Sequence, residues 1–161
     1  MLPDSTLTAA ESILAACRSK GIRLATAESC TGGMIAAALT AIAGSSDVVD
    51  RGFVAYSNEA KHQMIGVPMS LIDAHGAVSQ EVARAMAEGA LARSRAAIAV
   101  SVTGVVGPGG GSEDKPVGLV CFGLARTGQP ACSERQVFPG DRGEIRAAAV
   151  AHAFTMIRTG L

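Results

Sequence analysis

Aromatic side chains are scarce: the 161 residues include four Phe, one Tyr and no Trp. A core must therefore come from Ala, Val, Ile and Leu, whose small volumes favour close packing of helices on a sheet. Net charge is missing too, since 14 basic and 14 acidic residues cancel. That balance argues against bulk electrostatic attachment to nucleic acid. It does not oppose a small anion held by a few local groups. No apolar run approaches the roughly 18 residues needed to span a bilayer. The opening "MLPDSTLTAAESILAACRSK" lacks a basic leading segment and carries acidic residues, so it does not read as a signal peptide. A cytoplasmic protein with neither membrane nor nucleic-acid partner is expected. The cysteines are also unpaired in spacing: Cys17, Cys30, Cys121 and Cys132 form no CxxC motif and no Cys/His cluster. We expect small buried thiols in a reducing compartment and no metal site.

What is present is an alternation of periods. Leu7, Ile13, Leu14 and Cys17 can share a helix face between Ser5 and Lys20, with Gly21 as the stop. "IRLATA" (22–27) reads as a buried strand, "MIAAALTAI" (34–42) as a helix, and "GFVAYS" (52–57) as a second strand. Short helices are expected over 58–66 and after Pro68. A longer one is expected over 79–94, where Ser79 can cap and Glu81 lies in the first turn. "AAIAVSVTG" (96–104) is rich in β-branched residues and reads as a third strand. After a glycine-rich loop, "VGLVCFGLA" and "CSERQVF" flank the turn signal "TGQP" as an antiparallel hairpin. A helix over about 143–158 closes the chain. The order predicts one α/β domain over residues 1–161: a three-layer α/β/α sandwich with a mixed, mostly parallel sheet ending in the hairpin. Strand order is not encoded in this pattern, and the apolar composition is compatible with a homo-oligomer.

In open α/β sheets ligands bind beyond the carboxyl ends of the strands. Three marked segments fall at such ends: "ESCTGG", "YSNEAK" and "TGVVGPGGGSEDKP". A helix starting near Thr31 would aim free N–H groups at the turn holding Ser29 and Cys30, and Gly32 and Gly33 would admit a close ligand. The same residues suit an ordinary helix cap. Tyr56, the only tyrosine, and Lys61 follow the second strand. If a hydroxyl nucleophile lies nearby, a desolvated lysine can serve as its base, and a tyrosine hydroxyl can relay the proton. His62 is a reserve base. His75 suits a helix C-terminus and His152 an apolar helix face. The third loop lacks the Gly-Lys-Ser/Thr ending of a Walker loop. Its glycines can still turn N–H groups toward an anion, and Lys115 and Arg142 could add charge.

The ordered set "TAESCTGG", "RGFVAYSNEAK", "HGAVSQEVA", "SVTGVVGPGGGSEDKPVG" and "FPGDR" closely resembles the CinA C-terminal domain family, whose characterised members are nicotinamide-nucleotide amidases. The resemblance runs from about Leu24 to the final helix. It implies hydrolysis of the carboxamide of nicotinamide mononucleotide to nicotinate mononucleotide and ammonia, in pyridine-nucleotide salvage. It also implies a small-molecule nucleotide partner and no cofactor or metal. By this likeness Ser29 is the nucleophile, with Tyr56 and Lys61 beside it. Residue chemistry and resemblance together suggest that Lys61 takes the Ser29 proton directly or through Tyr56. Thr31, Gly32 and Gly33 would then hold the oxyanion. Candidates for the rest of the substrate, its phosphate included, are Thr103, Gly104, Gly107, Gly109, Gly110, Gly111 and Arg142. The Thr31 helix start remains an alternative phosphate site. Larger CinA proteins carry a molybdopterin-binding-like domain with pyrophosphatase activity; 161 residues leave no room for it. The competing readings are a non-catalytic nucleotide-binding module acting through partners in competence or damage responses, and a cysteine hydrolase using Cys30.

Overall fold

A computed structural model describes residues 1–161. The helices are α1 (Asp4–Ser19), α2 (Met34–Thr40), α3 (Asn58–Ile65), α4 (Met69–His75), α5 (Gln80–Ala92) and α6 (Arg142–Gly160). The strands are β1 (Leu24–Glu28), β2 (Val49–Val54), β3 (Ile98–Gly104), β4 (Leu119–Arg126) and β5 (Cys132–Val137). They form one sheet in the order β2-β1-β3-β4-β5. β2, β1 and β3 run parallel, and β4 and β5 continue the sheet as an antiparallel hairpin.

The strand alternation sorts side chains by size. Leu24, Ile98, Val100, Val102, Val120 and Phe122 pack with α1, α2 and α6 in the larger core. Ala25, Ala27 and Ala99 face the opposite side, where Val82, Met86, Ile65 and Ile72 of α5, α3 and α4 cover them. Small residues on that face bring α5 close to the strands. A Cβ on Gly123 would lie 2.2 Å from the Ala83 carbonyl oxygen. The aromatic-poor composition thus supports a three-layer α/β/α sandwich. No helix is long and apolar enough to cross a membrane.

Register explains why distant segments meet at one edge. Glu28 of β1 pairs with Val54 of β2 and with Val102 of β3, so all three carboxyl ends are level. Gly104 pairs with Val120, and Leu119 with Val137. The 105–118 loop and the end of β5 therefore return to that same edge, and α6 starts there.

Several boundaries differ from expectation for local reasons. α2 begins at Met34, as expected, and ends at Thr40, two residues early; the conditional start near Thr31 fails because Gly32 (φ 58°) and Gly33 (φ 101°) take left-handed conformations that interrupt a helix. β2 starts at Val49 and ends at Val54, so Ala55–Ser57 form its exit. Ser57 then caps α3 by accepting the Ala60 N–H at 3.0 Å. α6 starts at Arg142 because Asp141 and Glu144 form a reciprocal capping box. Cys17, Cys30 and Cys121 are buried, whereas Cys132, expected to be buried, is exposed at the start of the edge strand β5.

Candidate functional site

The edge formed by the ends of β1, β2 and β3 encloses a cavity of about 320 Å³. It is lined by Ser29, Cys30, Tyr56, Asn58 and Lys61, by Gly107, Gly109, Gly110 and Arg142, and by Thr103, Gly104, Ala77 and Val78. The backbone places Ser29 one residue beyond β1, where its N–H still donates to Val102 O of β3 at 2.9 Å. The hydroxyl is therefore held by the sheet while standing outside it.

Lys61 lies on the first turns of α3 and is 1% exposed. Its Nζ donates to Ser29 Oγ at 3.0 Å and to Tyr56 O at 3.0 Å. Burial pushes its pKa below the ordinary lysine value, and Cys30 alongside pulls weakly the other way. An amine in this position is biased toward its neutral form, in which it can accept a proton. The direct Lys61–Ser29 contact needs no relay. Tyr56 contributes its backbone carbonyl to the pair, and the residue is 59% exposed. His62, the reserve base, turns away: its Nδ1 sits 2.9 Å from Val67 O. His75 ends α4 with its carbonyl accepting from Lys115 Nζ at 2.6 Å. His152, expected on an apolar face, packs against Phe122 but also meets Glu134 at 2.7 Å.

Cys30 lines the cavity, but its thiol is held up to about 12, chiefly by burial, with the Glu28 charge adding to it. A neutral thiol is a poor nucleophile. Its backbone N–H donates to no backbone carbonyl; it lies against the residue's own thiol, where it opposes part of the upward shift.

Glu28, which the sequence reading overlooked, decides what the "ESCTGG" turn can bind. This buried carboxylate accepts from Thr31 Oγ1 at 2.7 Å, Ile35 N at 2.9 Å and Ala36 N at 3.0 Å. It satisfies the positive end of α2 with the protein's own charge. The phosphate alternative at that helix start is therefore displaced. Thr31, Gly32 and Gly33 do not line the cavity, and the Gly32 N–H already donates to Ser29 O at 3.0 Å. On the far side of the turn, Arg146 of α6 donates to Cys30 O and Thr31 O, both at 3.1 Å. Glu28 was visible in the sequence as an acid directly before the marked serine. Arg146 lies 116 residues from Cys30 and carried no local signal.

The glycine loop is divided. Gly107, Gly109 and Gly110 line the cavity, and their N–H groups make no bond within the protein. Gly111 does not line it; it packs on Val117, where a Cβ would come within 2.8 Å of the Val117 N. Arg142 reaches the cavity and donates to Gly107 O at 2.7 Å. Thr103 donates to Ala77 O at 2.9 Å, so it braces the wall. Lys115 lies outside the cavity.

The model of the CinA C-terminal domain matches residues 6–161. The chain belongs to the CinA C-terminal domain family. This CinA C-terminal domain is 48% identical over 153 residues to the nicotinamide-nucleotide amidohydrolase PncC of Escherichia coli K12, covering 95% of this chain and 93% of that protein. It is 52% identical over 143 residues to a CinA-like protein of Mycolicibacterium paratuberculosis, covering 86% of this chain and 33% of that one. The domain thus spans about a third of the length of such CinA-like relatives. Among solved structures it matches the competence/damage inducible protein CihA of Agrobacterium tumefaciens with TM-score 0.96 and 47% identity, over 99% of this chain and 97% of that one. A CinA superfamily protein of Escherichia coli matches with TM-score 0.93 and 32% identity, over 100% and 94% of the two chains.

Proposed function

We propose that residues 1–161 form a single nicotinamide-nucleotide amidase domain that converts nicotinamide mononucleotide and water to nicotinate mononucleotide and ammonia. The observation that carries this reading is the 3.0 Å contact between buried Lys61 Nζ and Ser29 Oγ at the cavity wall. Similarity to PncC along nearly the whole of both chains supports the same reaction. A module that only bound nucleotides would have no use for a desolvated amine against a serine, which favours catalysis over binding alone.

Neutral Lys61 accepts the Ser29 proton as Oγ attacks the carboxamide carbon. The C–O bond forms, the carbonyl electron pair moves to oxygen, and the Cys30 N–H meets that oxyanion. This position is the residue after the nucleophile, where serine hydrolases of other folds also place a donor. Lys61 then delivers its proton to the amide nitrogen, the C–N bond breaks, and ammonia leaves. Water attacks the resulting ester as Lys61 takes its proton; the C–Oγ bond then breaks, Lys61 returns the proton to Ser29 Oγ, and the product acid leaves as the carboxylate with its proton passing to solvent. The substrate phosphate lies against the N–H groups of Gly107, Gly109 and Gly110 and the Arg142 guanidinium, which line the same cavity.

The nucleophile is tested by ammonia release from nicotinamide mononucleotide by folded Ser29→Ala and Cys30→Ala. Ser29→Ala should lose at least about 100-fold in kcat, in keeping with removal of a nucleophile and its base contact. Cys30→Ala should stay within a few-fold of the parent. Full turnover by Ser29→Ala, or loss confined to Cys30→Ala, overturns the assignment.

A further inference from the structure

The substrate of that reaction carries a fixed positive charge on its pyridinium ring, and the cavity offers that charge no carboxylate. No Asp or Glu is among its lining residues, and its two ionisable cations are Lys61 and Arg142. The nearest buried acid, Glu28, is already occupied by Thr31 and the first N–H groups of α2. A cationic ring placed with its carboxamide at Ser29 must therefore find another source of negative potential.

One aromatic residue stands at this place. Phe122, Phe138 and Phe154 belong to the core under α6, and Phe53 packs against the opposite core. Tyr56 alone lines the cavity, beside Ser29 and Lys61. The residue is 59% exposed, and no protein hydrogen bond uses its hydroxyl. Its carbonyl serves Lys61, which leaves the side chain without a structural duty. The face of a tyrosine ring carries negative potential and attracts a cation within about 6 Å of its centre.

Resting on the amidase reading above, we propose that the Tyr56 ring is a recognition face for the pyridinium cation, so that this site selects N-glycosylated, positively charged nicotinamides over neutral ones. The ring acts through its π-face, which assigns Tyr56 to binding and not to the proton path.

The probes are nicotinamide mononucleotide and its 1,4-dihydro form, which keeps the carboxamide, ribose and phosphate but has a neutral ring. Dissociation constants for both are measured by calorimetry in a Ser29→Ala background, alone and combined with Tyr56→Phe or Tyr56→Leu. Turnover of the oxidised form is measured with Ser29 intact. Tyr56→Phe, which keeps the π-face, should keep the parent's preference for the charged ring. Tyr56→Leu should lower that preference about 3- to 30-fold, the range expected for losing one cation–π contact. Equal weakening of both ligands by Tyr56→Leu, or of neither, overturns the proposal. So does a large fall in kcat with unchanged affinity in Tyr56→Phe, which would return the hydroxyl to the proton path. The amidase reading has its own readout: a parent protein that releases no ammonia from the oxidised nucleotide sinks that reading, whatever the Tyr56 variants bind. Tyr56 is an exposed residue, so both variants should fold, and thermal melts check it.

Discussion

Replacing Lys61 by Met should separate activity from stability. Lys61 is among the largest fully buried side chains in the protein, and Met is close to it in volume. Its amine makes two polar contacts, to Ser29 Oγ and Tyr56 O, both at 3.0 Å. Losing a donor to a buried acceptor costs about 1–3 kcal/mol. Here the loss is reduced, because Ser29 Oγ lies 3.5 Å from Tyr56 O and can turn its own hydrogen there. Against that cost stands the removal of a group whose burial disfavours its charged form. Each unit by which burial lowers a pKa corresponds to about 1.4 kcal/mol held against the ammonium. The two effects oppose each other, so Tm should stay within about 4 °C of the parent. Activity has no such compensation: without the base, kcat should fall at least about 100-fold.

The pH dependence adds a sign. Because the folded pKa of Lys61 is lowered, the native state gives up this proton before the unfolded chain does. Between the folded value and the ordinary lysine value, the unfolded state binds more protons. The stability contribution of Lys61 therefore rises with pH across that window. The relative advantage of Lys61→Met is largest below the folded pKa and shrinks as pH rises toward the ordinary value. In the parent, kcat/KM should climb with pH and level off below the ordinary lysine pKa. Thermal melts and ammonia release measured together across pH decide the matter. A folded Lys61→Met protein with kcat within threefold of the parent refutes the base assignment, and so does a flat kcat/KM profile through this range.

Two further outcomes test the scaffold. Gly89→Ala would ordinarily stabilise a helix interior by about 1 kcal/mol, but a Cβ there would lie 1.9 Å from Ile65 O at the end of α3; we expect Tm to fall by at least about 4 °C by calorimetry. Asp50, one residue into β2, accepts from Arg95 N and Nε and from Arg51 Nε at 2.9–3.0 Å. These donors, the Arg95 N–H first among them, hold its pKa down to about 2. Its contribution is therefore present above the unfolded carboxylate value and lost as pH falls through about 2. Asp50→Asn should lower Tm by about 3–8 °C at pH 7, and the difference should close as pH falls from about 4 to 2.

Local chemistry determined much of this protein by itself. Hydrophobic period, the capping residue Ser79 and the TGQP turn marked six helices and five strands in their correct order. The rule that ligands gather at carboxyl ends of strands placed three loops on one edge before any strand order was known. The errors came where a few backbone angles outweighed residue type. The helix over 34–42 does start at Met34, but N–H groups aimed from a start near Thr31 do not exist, because Gly32 and Gly33 are left-handed. The turn also seemed open to an anion, because a free helix end and one filled by Glu28 have the same local sequence.

Tertiary structure alone decided which groups meet. Ser29 and Lys61 are 32 residues apart, and only the level ends of β1 and β2, followed by the capped α3, bring Nζ against Oγ. Burial is likewise a property of the assembled layers, so the lowered Lys61 pKa and the raised Cys30 pKa could not be read from neighbours in the chain. Arg146 closes the list: it grips the Ser29–Thr31 turn from α6, at a distance along the chain where residue type carries no information about contact.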